Sequence, residues 1–281
     1  MLKSGEDFAL WPALKLLRAR ELWSELSSSM TLYRASLGNE TRAEVPEDRL
    51  TVTFYAQIRN SPPAYHWSLL YGDIIHNYRS ALDALAWEMV HLDGAAPADK
   101  FARRVYFPIC RTEAEWKEAV RTYLASAPEF VLARMRSVQP FLFPPVDEGV
   151  GLHLHQLDID DKHKALVHLE LSARDKTSFA LSFKMEEPEA AGRHPDDHYE
   201  WLGGDQPLED GQAICRFRVP SPLVYASLES LPLVPMVSWG SLKKDAFFML
   251  RLIDQQVALT FDTIERGMQA RQAPTDSPLT D

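Results

Sequence analysis

The sequence predicts an α+β protein: a helical bundle of long N-terminal, central and C-terminal helices packed with an antiparallel β-sheet. Three observations predict it. Apolar residues recur at spacings of three to five in the first and last stretches of the chain (Leu10, Leu14, Leu17, Leu22, Leu26, Met30; Phe247, Leu250, Ile253, Val257, Phe261, Ile264), which is the helical period. A further long helical pattern lies between residues 64 and 92. Short β-branched and aromatic runs separated by turn residues fill the middle and later part of the chain, the mark of strands joined by tight connections.

Taken in order, the first helix begins near Trp11, since Pro12 is tolerated only in a first turn. Leu50 to Ile58 is a strand that Asn60-Ser61-Pro62-Pro63 breaks. The second helix runs from about Ala64 to Leu92 and closes at Asp93-Gly94. Thr112 with Glu115 forms a capping box that opens a helix to Leu124, and Pro128 opens a shorter one ending near Val138-Gln139. Leu142 to Gly151 reads as a loop and Leu152 to Asp160 as a turn or two of helix. Strands follow at Leu166–Leu171, Ser178–Lys184, Ala213–Val219 and Leu233–Trp239, with Arg174-Asp175-Lys176 as the turn between the first two. The last helix spans about Ser241 to Met268. One domain is expected over 1–268, with an acidic loop at 186–211 and a disordered tail at 269–281.

Composition excludes several classes. Of the 281 residues 46% are apolar and 25% charged, as in an average globular protein, and no apolar run approaches the ~20 residues of a membrane helix. The N-terminal residues carry Glu6 and Asp7 and do not read as a secretory signal, so a cytoplasmic location is expected. Cys110 and Cys215 stand alone, which argues against a disulfide framework or a cysteine-type zinc site. The net charge of −10 is concentrated: between Glu186 and Asp210 nine acids face the single base Arg193, leaving the rest of the chain near −2. There is no G-x-x-x-x-G-K-S/T, G-x-G-x-x-G or G-x-S-x-G sequence, so P-loop, dinucleotide and α/β-hydrolase chemistry lack support.

Two clusters carry reactive side chains. In the second helix, His76, Arg79 and Asp83 fall within about 60° of one another, with Ile74, Tyr78, Leu82, Leu85 and Met89 on the other side. Read structurally, Arg79 and Asp83 are an ordinary i,i+4 ion pair. The second cluster, His153 to Lys164, holds His153, His155, Asp158, Asp161 and His163, donors that suit a divalent metal although their spacing matches no closed motif; its plainer reading is a polar turn leaving a helix. No cofactor and no resident metal are expected. Because both segments have apolar sides to bury, Arg79 is expected within reach of a carboxylate (Asp161, Asp158 or Asp83), and His163 near His76 or Asp83.

The blocks Gly72-Asp73-x-x-His76-Asn77-x-Arg79-Ser80-Ala81-Leu82-Asp83, Phe107-Pro108-Ile109, Gln139-Pro140-Phe141 and Leu157-x-x-x-Asp161-Lys162-His163-Lys164 resemble, in that order, a family of uncharacterised bacterial and phage-associated proteins, over roughly residues 65 to 170. In such relatives the helix often reads R-S-A-L-D-H, similar to the arginine and histidine signature of HEPN domains. The resemblance implies a helical bundle, commonly dimeric, that cleaves RNA without a metal or binds nucleotides or proteins. Here Ala84 stands where that histidine would be, so His76 or His163 must take its place. Metal-free RNA cleavage needs a proton-transfer pair and a cation for the charged phosphorane, which histidine and arginine supply.

Three functions follow as expectations. The first is a HEPN-like protein acting on RNA, a defence or toxin-type ribonuclease using His76, Arg79, Asp83, Asp161 and His163, with RNA or a protein as partner and a homodimer as assembly. The second is a non-catalytic binding module in which Arg79, Asp83 and Asp161 form a structural polar network. The third is a metal-dependent hydrolase using the second cluster with His76.

Overall fold

The computed structural model describes residues 10–37, 41–163, 166–173, 181–187, 199–204, 206–228 and 233–272. Its elements are α1 (Leu10–Leu37), β1 (Thr41–Glu44), β2 (Thr51–Ala56), α2 (Ala64–Val90), α3 (Asp99–Ala102), α4 (Glu113–Thr122), α5 (Glu129–Ser137), α6 (Val150–His163), β3 (Leu169–Ser172), β4 (Leu181–Met185), β5 (Tyr199–Trp201), β6 (Ala213–Arg218), β7 (Leu223–Leu228), β8 (Val234–Trp239), β9 (Leu242–Asp245) and α7 (Ala246–Gln272). The α+β class is as expected. None of the helices described is long and apolar enough to cross a membrane.

The chain groups into two compact units: Met1–Ser24, Leu70–Leu166 and Phe248–Asp281 in one, Glu25–Leu69 and Val167–Phe247 in the other. The second holds every described strand. β1-β2-β6-β5, β3-β8-β9 and β4-β7 form three sheets, and every pairing is antiparallel. β6 alternates buried Cys215 and Phe217 with exposed Arg216 and Arg218, so one face joins a core of Val52, Phe54, Ile214, Leu223 and Leu228 while the other is wet.

The expected strand boundaries need correction in several places. The residues β3 and β4 were expected to share a hairpin, yet β3 pairs with β8 and β4 with β7. Residues 174–180, the expected turn among them, lie outside those described, as do 188–198 and 205 of the acidic stretch. The strands β1, β5 and β9, of three or four residues, lacked a sequence signal long enough to register, and the six-residue β7 directly follows the Pro220-Ser221-Pro222 turn and was not expected either. Leu242–Asp245, expected as the start of the last helix, pairs with Met236–Trp239 instead; helix begins only at Ala246, where the Asp245 carboxylate accepts the Phe247 N–H. The helix then continues to Gln272, so 269–272 belong to it, and 273–281 lie outside the described residues.

In the first unit α2 is the central element. Tyr71, Ile74, Ile75, Tyr78, Leu82, Leu85 and Met89 are all buried, and so are residues on nearly every other bearing, leaving one narrow wet strip along Asp73, His76, Asn77, Ser80, Asp83 and Trp87. Tyr78 ends on Asp254 of α7, which also takes a bidentate pair from Arg20 of α1. α6 is longer than expected: Val150 and Gly151 already belong to it, and Asp161-Lys162-His163, expected as a turn beyond a helix, are its last turn.

Candidate functional site

The blocks quoted above come together around α2, and they do so in two layers. The inner layer is a grip on the backbone at Phe107-Pro108-Ile109-Cys110. Arg79 is 4% exposed, and its Nη2 donates to the Phe107 carbonyl at 2.8 Å and to Asp83 Oδ1 at 2.8 Å. The same Asp83 oxygen accepts the Phe107 N–H at 2.9 Å. The i,i+4 pair on α2 thus captures both polar groups of one peptide residue, which satisfies them where water has little access. Burial raises the Asp83 carboxyl above its ordinary range, against the lowering influence of Arg79 and of the Phe107 N–H.

From the other side Gln139, fully buried, completes the grip. Its amide oxygen accepts the Cys110 N–H at 3.0 Å, and its amide nitrogen donates to the carbonyls of Pro108 and Met135, each at 3.0 Å. Within the gripped segment Pro108 has a carbonyl but no N–H, so the Gln139 amide meets an acceptor there and a donor at Cys110. Next to it Phe107, Ile109, Leu82, Pro140 and Gly151 wall a cavity of about 330 Å³.

The outer layer lies on the wet strip. His76 is half exposed, with Nδ1 3.3 Å from Asp158 Oδ1 on α6 and Nε2 3.3 Å from Ser80 Oγ. The Asp158 side chain is only 7% exposed, and its other oxygen accepts Lys162 Nζ at 2.8 Å. Both histidine contacts are long for hydrogen bonds. One turn below, α6 approaches α2 closely: a Cβ on Gly72 would lie 2.7 Å from both oxygens of Asp161. Glycine is therefore what lets Asp161 settle on α2. Near both layers His155 has its Nδ1 buried with no hydrogen-bond partner among the described residues; burial, and then the Arg79 charge, lower its pKa.

Of the expected site residues, His76, Arg79 and Asp83 share α2, but Arg79 faces inward and the other two face the strip. The expected carboxylate for Arg79 is Asp83, its neighbour on the helix. Asp161 reaches α2 at Gly72, and among the described residues no hydrogen bond or ion pair joins the exposed His163 to His76 or Asp83. The helical run of α6 explains this, since five residues at about 100° each turn His163 well away from Asp158. Among the described residues, no three His, Cys, Asp or Glu side chains converge as a metal-ligand set, so His153, His155, Asp158, Asp161 and His163 are not assembled as one. Lys164 lies outside the described residues.

Ser80 and Gln139 stand in the blocks quoted from the sequence, but sequence reasoning assigned neither of them a role. Ser80 is four residues after His76, so the same helical arithmetic that grouped His76 with Arg79 could have included it. The role of Gln139 had no local signal, because two of its three partners, Cys110 and Pro108, lie about thirty residues away. Comparison of the chain with protein-family models, curated proteins and solved structures finds no match, so its geometry carries the functional argument.

Proposed function

We propose that the protein is a hydrolytic enzyme whose proton transfers run through His76 on the wet strip of α2. The observation that carries this reading is the setting of the imidazole, with one nitrogen toward a nearly buried carboxylate, the other toward a hydroxyl, and the ring half exposed. A carboxylate at Nδ1 favours the tautomer with its proton there, which leaves the Nε2 lone pair as a base and stabilises the imidazolium that forms. Lys162 neutralises the second Asp158 oxygen and keeps that carboxylate in place.

RNA, the substrate class that the resemblance implies, fits this reading with one change of role. Arg79 is enclosed by Asp83 and Phe107, so phosphate charge would fall to Lys162, which is 37% exposed. The homodimer and the cytoplasmic, defence-type setting belong to the same proposal. A second reading, a non-catalytic binding module, draws on the commitment of Arg79, Asp83 and Gln139 to backbone groups of one loop. One experiment separates them: turnover of RNA and of simple esters by wild type and His76→Ala. The enzyme reading expects a loss of about 100-fold or more with an unchanged melting temperature. If neither substrate is turned over in a His76-dependent way, the binding module is the better reading.

A further inference from the structure

A hydroxyl inside a helix usually bonds to the carbonyl four residues back. Thr31, Ser68, Thr122, Thr260 and Thr263 all do so here. Ser80 departs from that pattern: its Oγ meets the side chain of the residue four back, His76 Nε2, at 3.3 Å. Hydroxyl, imidazole and carboxylate then follow one another as Ser80, His76 and Asp158, with only the carboxylate end buried. That is the order in which acyl-transfer enzymes activate a serine, on folds otherwise unrelated.

We propose that Ser80 is the nucleophile of an acyl-transfer site and that carboxylic esters are its substrate class, an inference that rests on His76 being the proton-transfer base. Ser80 Oγ adds to the ester carbonyl carbon while its proton passes to His76 Nε2. The tetrahedral oxyanion collapses, the C–O bond to the alcohol breaks, and the imidazolium returns the proton to the leaving alkoxide. A water then attacks the acyl-Ser80 carbonyl, His76 takes its proton and gives it back to Ser80 Oγ, and the carboxylic acid departs. The donor for the oxyanion is the side-chain amide of Asn77, three residues before Ser80 and so its neighbour on the helix surface. One of its N–H groups donates to the Asp73 carbonyl at 2.8 Å, which fixes the amide and leaves the second N–H for substrate. The α2 backbone N–H groups are spent within the helix, so a side chain must do this work.

The test is labelling of the native full-length chain with a fluorophosphonate, which phosphonylates an activated serine and releases fluoride. A single adduct is expected, mapping to Ser80 by peptide mass spectrometry and forming about 100-fold more slowly in His76→Ala. Ester hydrolysis should vanish in Ser80→Ala, a substitution that favours the helix and so preserves the fold. An unlabelled Ser80, or a rate unchanged in His76→Ala, overturns the proposal. RNA cleavage lost in His76→Ala but kept in Ser80→Ala overturns Ser80 as nucleophile and leaves His76 as the base. Turnover that ignores His76 altogether overturns both.

Discussion

Arg79 and His76 stand three residues apart on one helix, and the fold uses them in opposite ways. Arg79 turns inward and spends its charge on Asp83 and a backbone carbonyl; His76 stays on the strip, with one nitrogen toward buried Asp158 and the other toward a hydroxyl. A charge that is buried and paired holds structure together, because removing its partner strands what remains. A titratable ring that is half exposed and oriented from behind can exchange protons with a substrate. One motif therefore combines a buried grip and an exposed histidine on the strip, and burial separates the two.

The grip should respond most to mutation. Arg79→Met keeps the volume but leaves Asp83 and the Phe107 carbonyl short of a donor, and should lower the free energy of unfolding in urea by about 3 kcal/mol. A loss below about 1 kcal/mol would show that the 107–110 segment is held by other means. Gln139→Leu removes three bonds to buried backbone groups and should cost about 2 kcal/mol. Amide exchange at Cys110 should quicken in that variant, because its N–H loses its acceptor.

The contact of α2 with α6 comes next. Gly72→Ala places a methyl group 2.7 Å from the Asp161 oxygens and should destabilise by about 1–2 kcal/mol. Asp161→Ala added to it should recover most of that loss, because the short side chain vacates the space. If the double variant is no better than Gly72→Ala, the close approach is not the reason for glycine at this position.

The smallest effect concerns His155. Its pKa lies below the ordinary 6.5, so the unfolded chain binds more protons than the folded one as pH falls through that value. Stability should therefore decline as pH drops below about 6.5 and hold above it. Urea midpoints measured across that range should flatten in His155→Gln. An unaltered slope would assign the pH dependence to another group.

The grip and the relay were unequally legible in the sequence. α2 was readable at Ala64, and to within two residues at its end, because its apolar residues repeat with helical period over 27 residues. The Thr112–Glu115 cap was readable because both partners are local: Thr112 Oγ1 accepts the Glu115 N–H at 3.2 Å. The Arg79–Asp83 pair was visible for the same reason. Its use on Phe107 was not, since a contact between residues 24 apart in sequence leaves no periodic trace. β9 was misread because Leu242-Lys243-Lys244-Asp245 runs directly into a helix, and only pairing with β8 makes it a strand. The sequence offers Asp158 as a metal donor or as a partner of Arg79, whereas the structure gives its oxygens to His76 and Lys162.

The most direct test of the division between buried grip and exposed histidine is urea unfolding of His76→Ala beside Arg79→Met, with circular dichroism as the readout. His76→Ala should stay within about 0.5 kcal/mol of wild type, because the ring is half exposed and its loss leaves Asp158 with Lys162. Arg79→Met should unfold at clearly lower urea. The reverse result, Arg79→Met melting like wild type while His76→Ala collapses, would contradict the account by showing that His76 is the structural residue and Arg79 the dispensable one.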